Sequence, residues 1–303
     1  MKVTVLGNAA GGPFHGRHYT AQFVQVAQHY FLVDCGEGTQ MQVYKFRIKV
    51  DRCRQIFISH LHGDHVFGLI GLITNWCLKK RSEKLQIFSP RGLEEMIETT
   101  IRVCGVRLCY PIEYVVVDAS KSAMVFETPE VEVWTIPLNH RTTTTGWLFR
   151  EKPKERNINP EILETYSIQQ DFEQIRAIKA GEDLRLPDGR IIPNHELTLD
   201  PRPPGSYAFC SDTAPDESVA KVVAGVDLLY HEATFTDEHI EEAAIAFHST
   251  AKQAAEIARK AGVKKMIIGH ISGRYADEEQ HLTEAKSIFE NTEIASEGVT
   301  WEF

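Results

Sequence analysis

The chain has 303 residues, 43% of them hydrophobic, enough for a sizeable core in one or two domains. Its 33 Lys and Arg against 42 Asp and Glu leave a net charge of −9, which argues against nonspecific nucleic-acid binding by the surface as a whole; a polyanion would have to be held by local basic clusters and by metal. MKVTVLGNAAGG lacks a signal-type apolar stretch, no apolar run reaches membrane-spanning length, and the six cysteines (Cys35, Cys53, Cys77, Cys104, Cys109, Cys210) form no CxxC pair, so a soluble cytoplasmic protein with free thiols and no membrane contact is expected.

Lys2–Leu6 alternates as a short strand and runs into a glycine-rich loop, Gly7–Gly12. Ala21–Val26 and Tyr30–Val33 read as a hairpin, and the turn Asp34–Thr39 leads into a helix, Gln40–Arg47. The apolar strand Gln55–Ile58 then ends in Ser59-His60-Leu61-His62-Gly63-Asp64-His65, ahead of an apolar helical pattern over Val66–Leu78. Three imidazoles and a carboxylate in so short a stretch predict a divalent-metal site, and metal-assisted hydrolysis with it. Side chains at i and i+2 of an extended segment point the same way, so His60 and His62 can grip one ion together. Gly63 is expected to turn the chain sharply, and Asp64 and His65 to open the next helix beside a second ion. A ligand set without thiolates suits a catalytic zinc or manganese site.

Farther along, Leu85–Phe88 reads as a strand and Leu93–Val103 as a helix. Ile112–Val117, Ala123–Glu127, Val131–Ile136 and Thr145–Phe149 read as strands. Residues 151–204 break the pattern: they are polar, charged and proline-rich at both ends, with weak helical periodicity over Glu161–Ala180. A long insertion of this kind is expected to be a functional arm within a single domain that spans residues 1–303. Tyr207–Phe209, Asp227–Tyr230 and Met266–Ile268 are apolar strands, and Thr250–Ala261 and Glu278–Phe289 are helices. Strands that cluster first and then alternate with helices predict an α/β (α+β) fold of two mixed sheets with helices outside.

A dinuclear site needs further ligands at strand ends. His140 follows Ile136–Asn139, Asp212 follows Tyr207–Ser211, and His270 follows Met266–Gly269. Taken alone, each is more often a loop or core residue; together with His60–His65 they form a coherent set. His248, in Phe247-His248-Ser249-Thr250, is either a general acid or simply a residue at the start of the Thr250 helix.

DCGEGTQ, SHLHGDHVFGLIGL, PLNHRTTTTGW, FCSDTAP, HEATF, HST and GHISGRY occur in this order, and the chain resembles ribonuclease Z, the tRNA 3′-processing endoribonuclease family of the metallo-β-lactamase superfamily, over essentially its whole length. The resemblance implies an αββα four-layer sandwich with an inserted exosite arm. It implies two Zn2+ per subunit, with Mn2+ or another divalent ion as an alternative: His60, His62 and His140 on one, Asp64, His65 and His270 on the other, Asp212 bridging. It implies that Asp64 orients the attacking water and takes its proton. His248 would be the general acid, held by Glu232, with Asp34 and Thr39 bracing the ligands. Water attack would leave a tRNA 3′-hydroxyl and a 5′-phosphorylated trailer.

The implied partners are precursor tRNA and a second subunit in a homodimer. The arm would grip the tRNA elbow by shape, while the basic runs Lys45–Arg54 and Lys79–Lys84 would supply phosphate contacts or merely a solvated face. His231, His29, His195, His239 and His281 are given no role. Two departures stand out: the arm reads Tyr166-Ser167-Ile168-Gln169-Gln170-Asp171-Phe172 where the family often has a Gly-Pro-rich segment, and Pro13-Phe14-His15-Gly16-Arg17-His18 replaces PxKxRN. The competing readings are a small-molecule phosphodiesterase or lactonase of the same superfamily, and an RNA-binding protein with a dead metal site.

Overall fold

Two seven-stranded sheets organise the protein. In the computed structural model, which describes residues 1–166, 168 and 171–303, the first sheet runs in the order Thr300–Glu302, Lys2–Gly7, Ala21–Val26, His29–Val33, Gln55–Phe57, Leu85–Ser89, Ile112–Val116. The second runs Thr292–Ile294, Lys265–Gly269, Leu228–Glu232, Ser206–Cys210, Thr145–Glu151, Val131–Pro137, Met124–Glu127. Both are mixed: antiparallel hairpins join strands such as Ala21–Val26 to His29–Val33, whereas His29–Val33, Gln55–Phe57 and Leu85–Ser89 are parallel.

The layering follows from the two-residue period of strands. Phe31, Val33 and Phe57 point inward and meet Trp147, Phe149, Tyr207, Phe209 and Tyr230 from the other sheet. Their sequence neighbours Leu32, Ile56 and Ile58 point outward under helices that supply Leu69, Ile73, Trp76 and Ile97. On the far side, Ala208, Cys210, Leu229 and Ile268 pack under Ala254, Ala255 and Ala258 of the helix Ala251–Ala261. Central strands buried on both faces read as unbroken apolar runs, and the result is helix, sheet, sheet, helix.

The chain divides into two compact units, Met1–Glu151 with Gly205–Phe303, and Lys152–Pro204. In the second, Asn159 caps the helix Pro160–Thr165 and Asp171 caps Phe172–Lys179, each through its side-chain oxygen. Ile168, Ile178, Leu184 and Leu197 form its own small core. Of the arm stretch singled out above, Ser167, Gln169 and Gln170 lie outside the described residues.

Several expectations change in detail. The helix expected over Gln40–Arg47 spans Thr39–Lys45, and Arg47 beyond it adopts a φ of 54°. The helix expected over Val66–Leu78 is two pieces, Gly63–Val66 and Gly68–Leu78, and the helix expected over Glu278–Phe289 spans Glu279–Lys286. Gly63 does not turn the chain through a positive φ; it lies in the short helix, where a Cβ would stand 2.3 Å from the Phe67 ring. Helices Glu217–Val222 and Ile240–Ala246 and strands Thr292–Ile294 and Thr300–Glu302 were not expected, because elements this short carry almost no periodic signal.

Candidate metal centre

The strands that carry the expected ligands end at one edge. Ser206–Cys210, Leu228–Glu232 and Lys265–Gly269 are parallel and in register, Cys210 beside His231 and Glu232 beside Gly269, so Asp212, Glu232 and His270 emerge together. The strand Val131–Pro137 delivers His140, and the first sheet delivers His60–His65 after Gln55–Phe57.

Asp212 stands at the middle. Its Oδ2 lies 3.4 Å from His60 Nε2 and 3.8 Å from His140 Nε2. Its Oδ1 lies 3.3 Å from both His65 Nε2 and His270 Nε2. His62 Nδ1 joins the first group, 2.9 Å from His60 Nε2 and 3.4 Å from His140 Nε2. Asp64 Oδ2 joins the second, 3.5 Å from His270 Nε2. Thus His60, His62, His140 and Asp212 make one group with metal-ligand spacing, and Asp64, His65 and His270 another.

His60, His65, His140 and His270 are aimed by their other ring nitrogens. His65 Nδ1 donates to Asp34 Oδ2 at 2.7 Å, and Asp34 also accepts from Ser59 N and Ser59 Oγ. His140 Nδ1 donates to Phe247 O at 2.9 Å. Thr234 Oγ1 donates to Glu232 Oε2 and therefore accepts from His270 Nδ1 at 2.9 Å. His60 Nδ1 lies 3.0 Å from Ser59 Oγ. For His60, His140 and His270 this leaves the inward nitrogen with its lone pair, the arrangement metal-binding imidazoles require. Asp34, Phe247 and His270 hold positive φ angles of 54°, 59° and 58°, so this geometry is kept at a backbone cost.

Charge points the same way. Burial drives His60 and His62 below the ordinary imidazole range, and drives His140 down to about 4, so these rings are neutral. Burial opposes charge on Asp212 as well, but His270, His65 and His60 hold it well below the usual carboxylate range. Burial also works against a charged His65, yet Asp212 and Asp34 push it well above the usual value. The carboxylates therefore demand positive charge between them. Asp212 Oδ1 is buried without a hydrogen-bond partner among the described residues, an orphaned anionic oxygen that a cation satisfies. The donor set fits divalent metal.

Beside the cluster, His248 Nδ1 donates to Glu232 Oε1 at 2.9 Å. Burial opposes its charge, but the Glu232 carboxylate outweighs that and pushes His248 up to about 9. Glu232 is itself fixed by the Thr213, Thr234 and Ser249 backbone N–H groups. A cavity of about 430 Å³ opens over His62, Asp64, Asp212, His248 and His270, with Arg141 on its wall.

Of the expected site residues, His62, Asp64, Asp212, His248 and His270 line this cavity, and His60, His65, His140 and Glu232 contact them from behind. Thr39 opens the helix Thr39–Lys45, its Oγ1 donating to Gly36 O at 2.7 Å. His231 is buried and bonds Glu232 O at 2.7 Å. Sequence reading overlooked Ser59, Thr234, Arg141 and Gly11, whose N–H donates to Asp64 Oδ2 at 3.0 Å. Ser59 and Thr234 sit inside the motif strings, which was the available signal. The second basic run is not an open phosphate surface: Arg81 is buried over the Trp76 ring at 4.6 Å, and Lys79 and Lys84 pair with Asp51 and Glu113.

A family profile described as "Anti-Pycsar protein Apyc1" matches residues 1–151. Ribonuclease Z of Porphyromonas gingivalis is 43% identical over 297 residues, 98% of this chain and 97% of the relative. Ribonuclease Z of Bacteroides fragilis is 41% identical over 299 residues, 99% of this chain and 98% of the relative. Among solved structures, human tRNase Z, short form, superposes with a TM-score of 0.70 at 23% identity, covering 100% of this chain and 99% of that one. The metallo-β-lactamase fold protein YhfI from Bacillus subtilis gives a TM-score of 0.68 at 17% identity, covering 100% and 99%. These two structural likenesses establish the fold.

Proposed function

The chain belongs to the ribonuclease Z family, and from that premise we propose that it is a metal-dependent endoribonuclease that removes the 3′ trailer of precursor tRNA. The observation that carries the reading is Asp212, with one oxygen toward each group of imidazoles, on a cavity that also holds the His248–Glu232 pair.

His60, His62 and His140 would hold one ion, and Asp64, His65 and His270 the other, with Asp212 facing both groups. Imidazole and carboxylate donors favour two Zn2+ per subunit, with Mn2+ as a replacement. When bound, such ions supply Lewis acidity, lowering the pKa of water and offsetting charge that builds on the phosphate. Asp64, steadied through Oδ2 by Gly11 N–H, orients the attacking water and takes its proton. His248, anchored to Glu232 through Nδ1, carries a proton at Nε2 and delivers it to the departing 3′ oxygen. The products are a tRNA 3′-hydroxyl and a trailer with a 5′-phosphate. Arg141 on the cavity wall is placed to meet the phosphodiester.

The finer features extend the same reading. Residues 152–204, a unit with its own core, serve as the tRNA-gripping arm of the catalytic domain. A homodimer is favoured by apolar side chains left open near the site's helices, Met41 at 70% and Phe67 at 64% exposure. Free thiols at all six cysteines suit the reducing cytoplasm, and among the described residues no helix is long and apolar enough to cross a membrane.

The test is cleavage of a precursor tRNA with a trailer lacking CCA, in zinc or manganese, with product ends mapped. One cut after the discriminator nucleotide, lost in His62→Ala, supports the reading. Turnover of a small diester without any RNA cut would replace it with the small-molecule phosphodiesterase.

A further inference from the structure

The six free cysteines fall into two sets. Cys35, Cys53 and Cys210 are buried, and burial raises all three thiols far from reactivity. Cys77 is partly buried, and Cys104 and Cys109 are exposed. Cys77 lies in the last turn of the helix Gly68–Leu78, and Cys109 in the segment before the strand Ile112–Val116.

Cys77 and Cys109 touch. The Cys109 backbone N–H donates to Cys77 Sγ at 3.2 Å. Cys109 Sγ lies 3.6 Å from Cys77 O and 3.3 Å from Arg81 O, and the Cys77 side chain beside it raises the Cys109 thiol above its usual range. The segments that carry them are pinned together: Tyr110 Oη donates to Ile73 O at 3.0 Å, and the Arg81 guanidinium lies 4.6 Å from the Trp76 ring centroid and 5.3 Å from that of Tyr110. A disulfide needs its two Cα atoms within about 7 Å and Cβ vectors that converge. A 3.2 Å approach of the Cys109 backbone to Cys77 Sγ brings the two side chains within reach of one another.

We propose that Cys77 and Cys109 are a dithiol–disulfide pair, an oxidative modification site that closes on reaction with a low-molecular-weight disulfide such as oxidised glutathione. Cys77, whose Sγ accepts the Cys109 backbone N–H, attacks first, as its thiolate. That thiolate attacks one glutathione sulfur, breaks the glutathione S–S bond and releases one glutathione thiolate. The Cys109 thiolate then attacks Cys77 Sγ, expels the second glutathione and completes the internal bond. The protein dithiol is oxidised, glutathione disulfide is reduced to two thiols, and the two thiol protons pass to them. Closure ties the far end of the helix that follows Asp64 and His65 to the lead-in of an edge strand of the first sheet.

The test uses the full native chain, metal-loaded as purified, treated with oxidised glutathione and mapped by peptide mass spectrometry without reduction. The expected product is a Cys77–Cys109 cross-linked peptide, accompanied by a rise in Tm that dithiothreitol reverses. Cys109→Ser should instead stop at a glutathione adduct on Cys77, and Cys77→Ser should give no internal link at Cys109. A cross-link from Cys109 to Cys104, or glutathione adducts alone on the wild-type chain, would overturn the proposal. The readout is covalent, so it stands or falls separately from RNA cleavage.

Discussion

Glu232→Gln probes the group on which the site turns. Glu232 is fully buried and takes five hydrogen bonds. Oε1 accepts from Thr213 N, His248 Nδ1 and Ser249 N, and Oε2 from Thr234 N and Thr234 Oγ1. The amide has one acceptor oxygen. Its cheaper placement keeps Oε1 and turns the NH2 toward Thr234, whose hydroxyl can rotate to accept but whose backbone N–H cannot. One buried donor then goes unpaired, at about 1–3 kcal/mol, and the charge-assisted bond to His248 weakens, at roughly 1.5–3 kcal/mol, for a total of about 2.5–6 kcal/mol. Urea unfolding of the metal-free protein measures that loss. In single-turnover cleavage, the weakened anchor on His248 should slow chemistry by about 10²–10³ while metal content is unchanged. A variant within about 1 kcal/mol of the parent that cleaves at the parental rate would refute both the hydrogen-bond accounting and the role of the pair.

Other consequences can be measured independently. His62→Ala should lose metal by elemental analysis and lose turnover with it; activity retained without metal would remove the metal reading. Gly68→Ala places a Cβ about 2.1 Å from Gly36 O, so the helix Gly68–Leu78 or the loop Cys35–Gly38 must shift; a loss of roughly 1–3 kcal/mol in thermal unfolding is expected, and an unchanged Tm contradicts it. Replacing residues 152–204 by a short linker is feasible because Glu151 N donates to Gly205 O at 2.8 Å. It should weaken precursor-tRNA cleavage and spare a small phosphodiester, whereas equal loss of both would make the arm structural. His281 is buried edge-on against Tyr275, and burial pushes it from 6.5 down to about 4. The unfolded chain then binds a proton that the folded chain refuses. Stability should be intact above pH 6.5 and fall toward pH 4 by about 3 kcal/mol in all. His281→Leu should flatten that slope in unfolding measured from pH 7 to 5, and parallel slopes would exclude the linkage.

Local physics made much of this protein legible in its sequence. The spacing of His60 and His62 after an apolar strand is a property of extended backbone and needs no tertiary knowledge. Unbroken apolar runs such as Leu228–Tyr230 and Met266–Ile268 announce strands buried on both faces, as they are. Short elements such as Glu217–Val222 gave no such sign, because one helical turn and a half carries no usable period.

What only the tertiary structure decided is how distant groups meet. The parallel register of Ser206–Cys210, Leu228–Glu232 and Lys265–Gly269 sets Asp212, Glu232 and His270 at one edge, and packing against the first sheet turns one Asp212 oxygen toward each set of imidazoles. His248 is pushed up because the Glu232 carboxylate, from the end of the strand Leu228–Glu232, is buried against it. Charge in a low-dielectric interior depends on which groups lie a few ångströms apart, and chain order does not carry that distance.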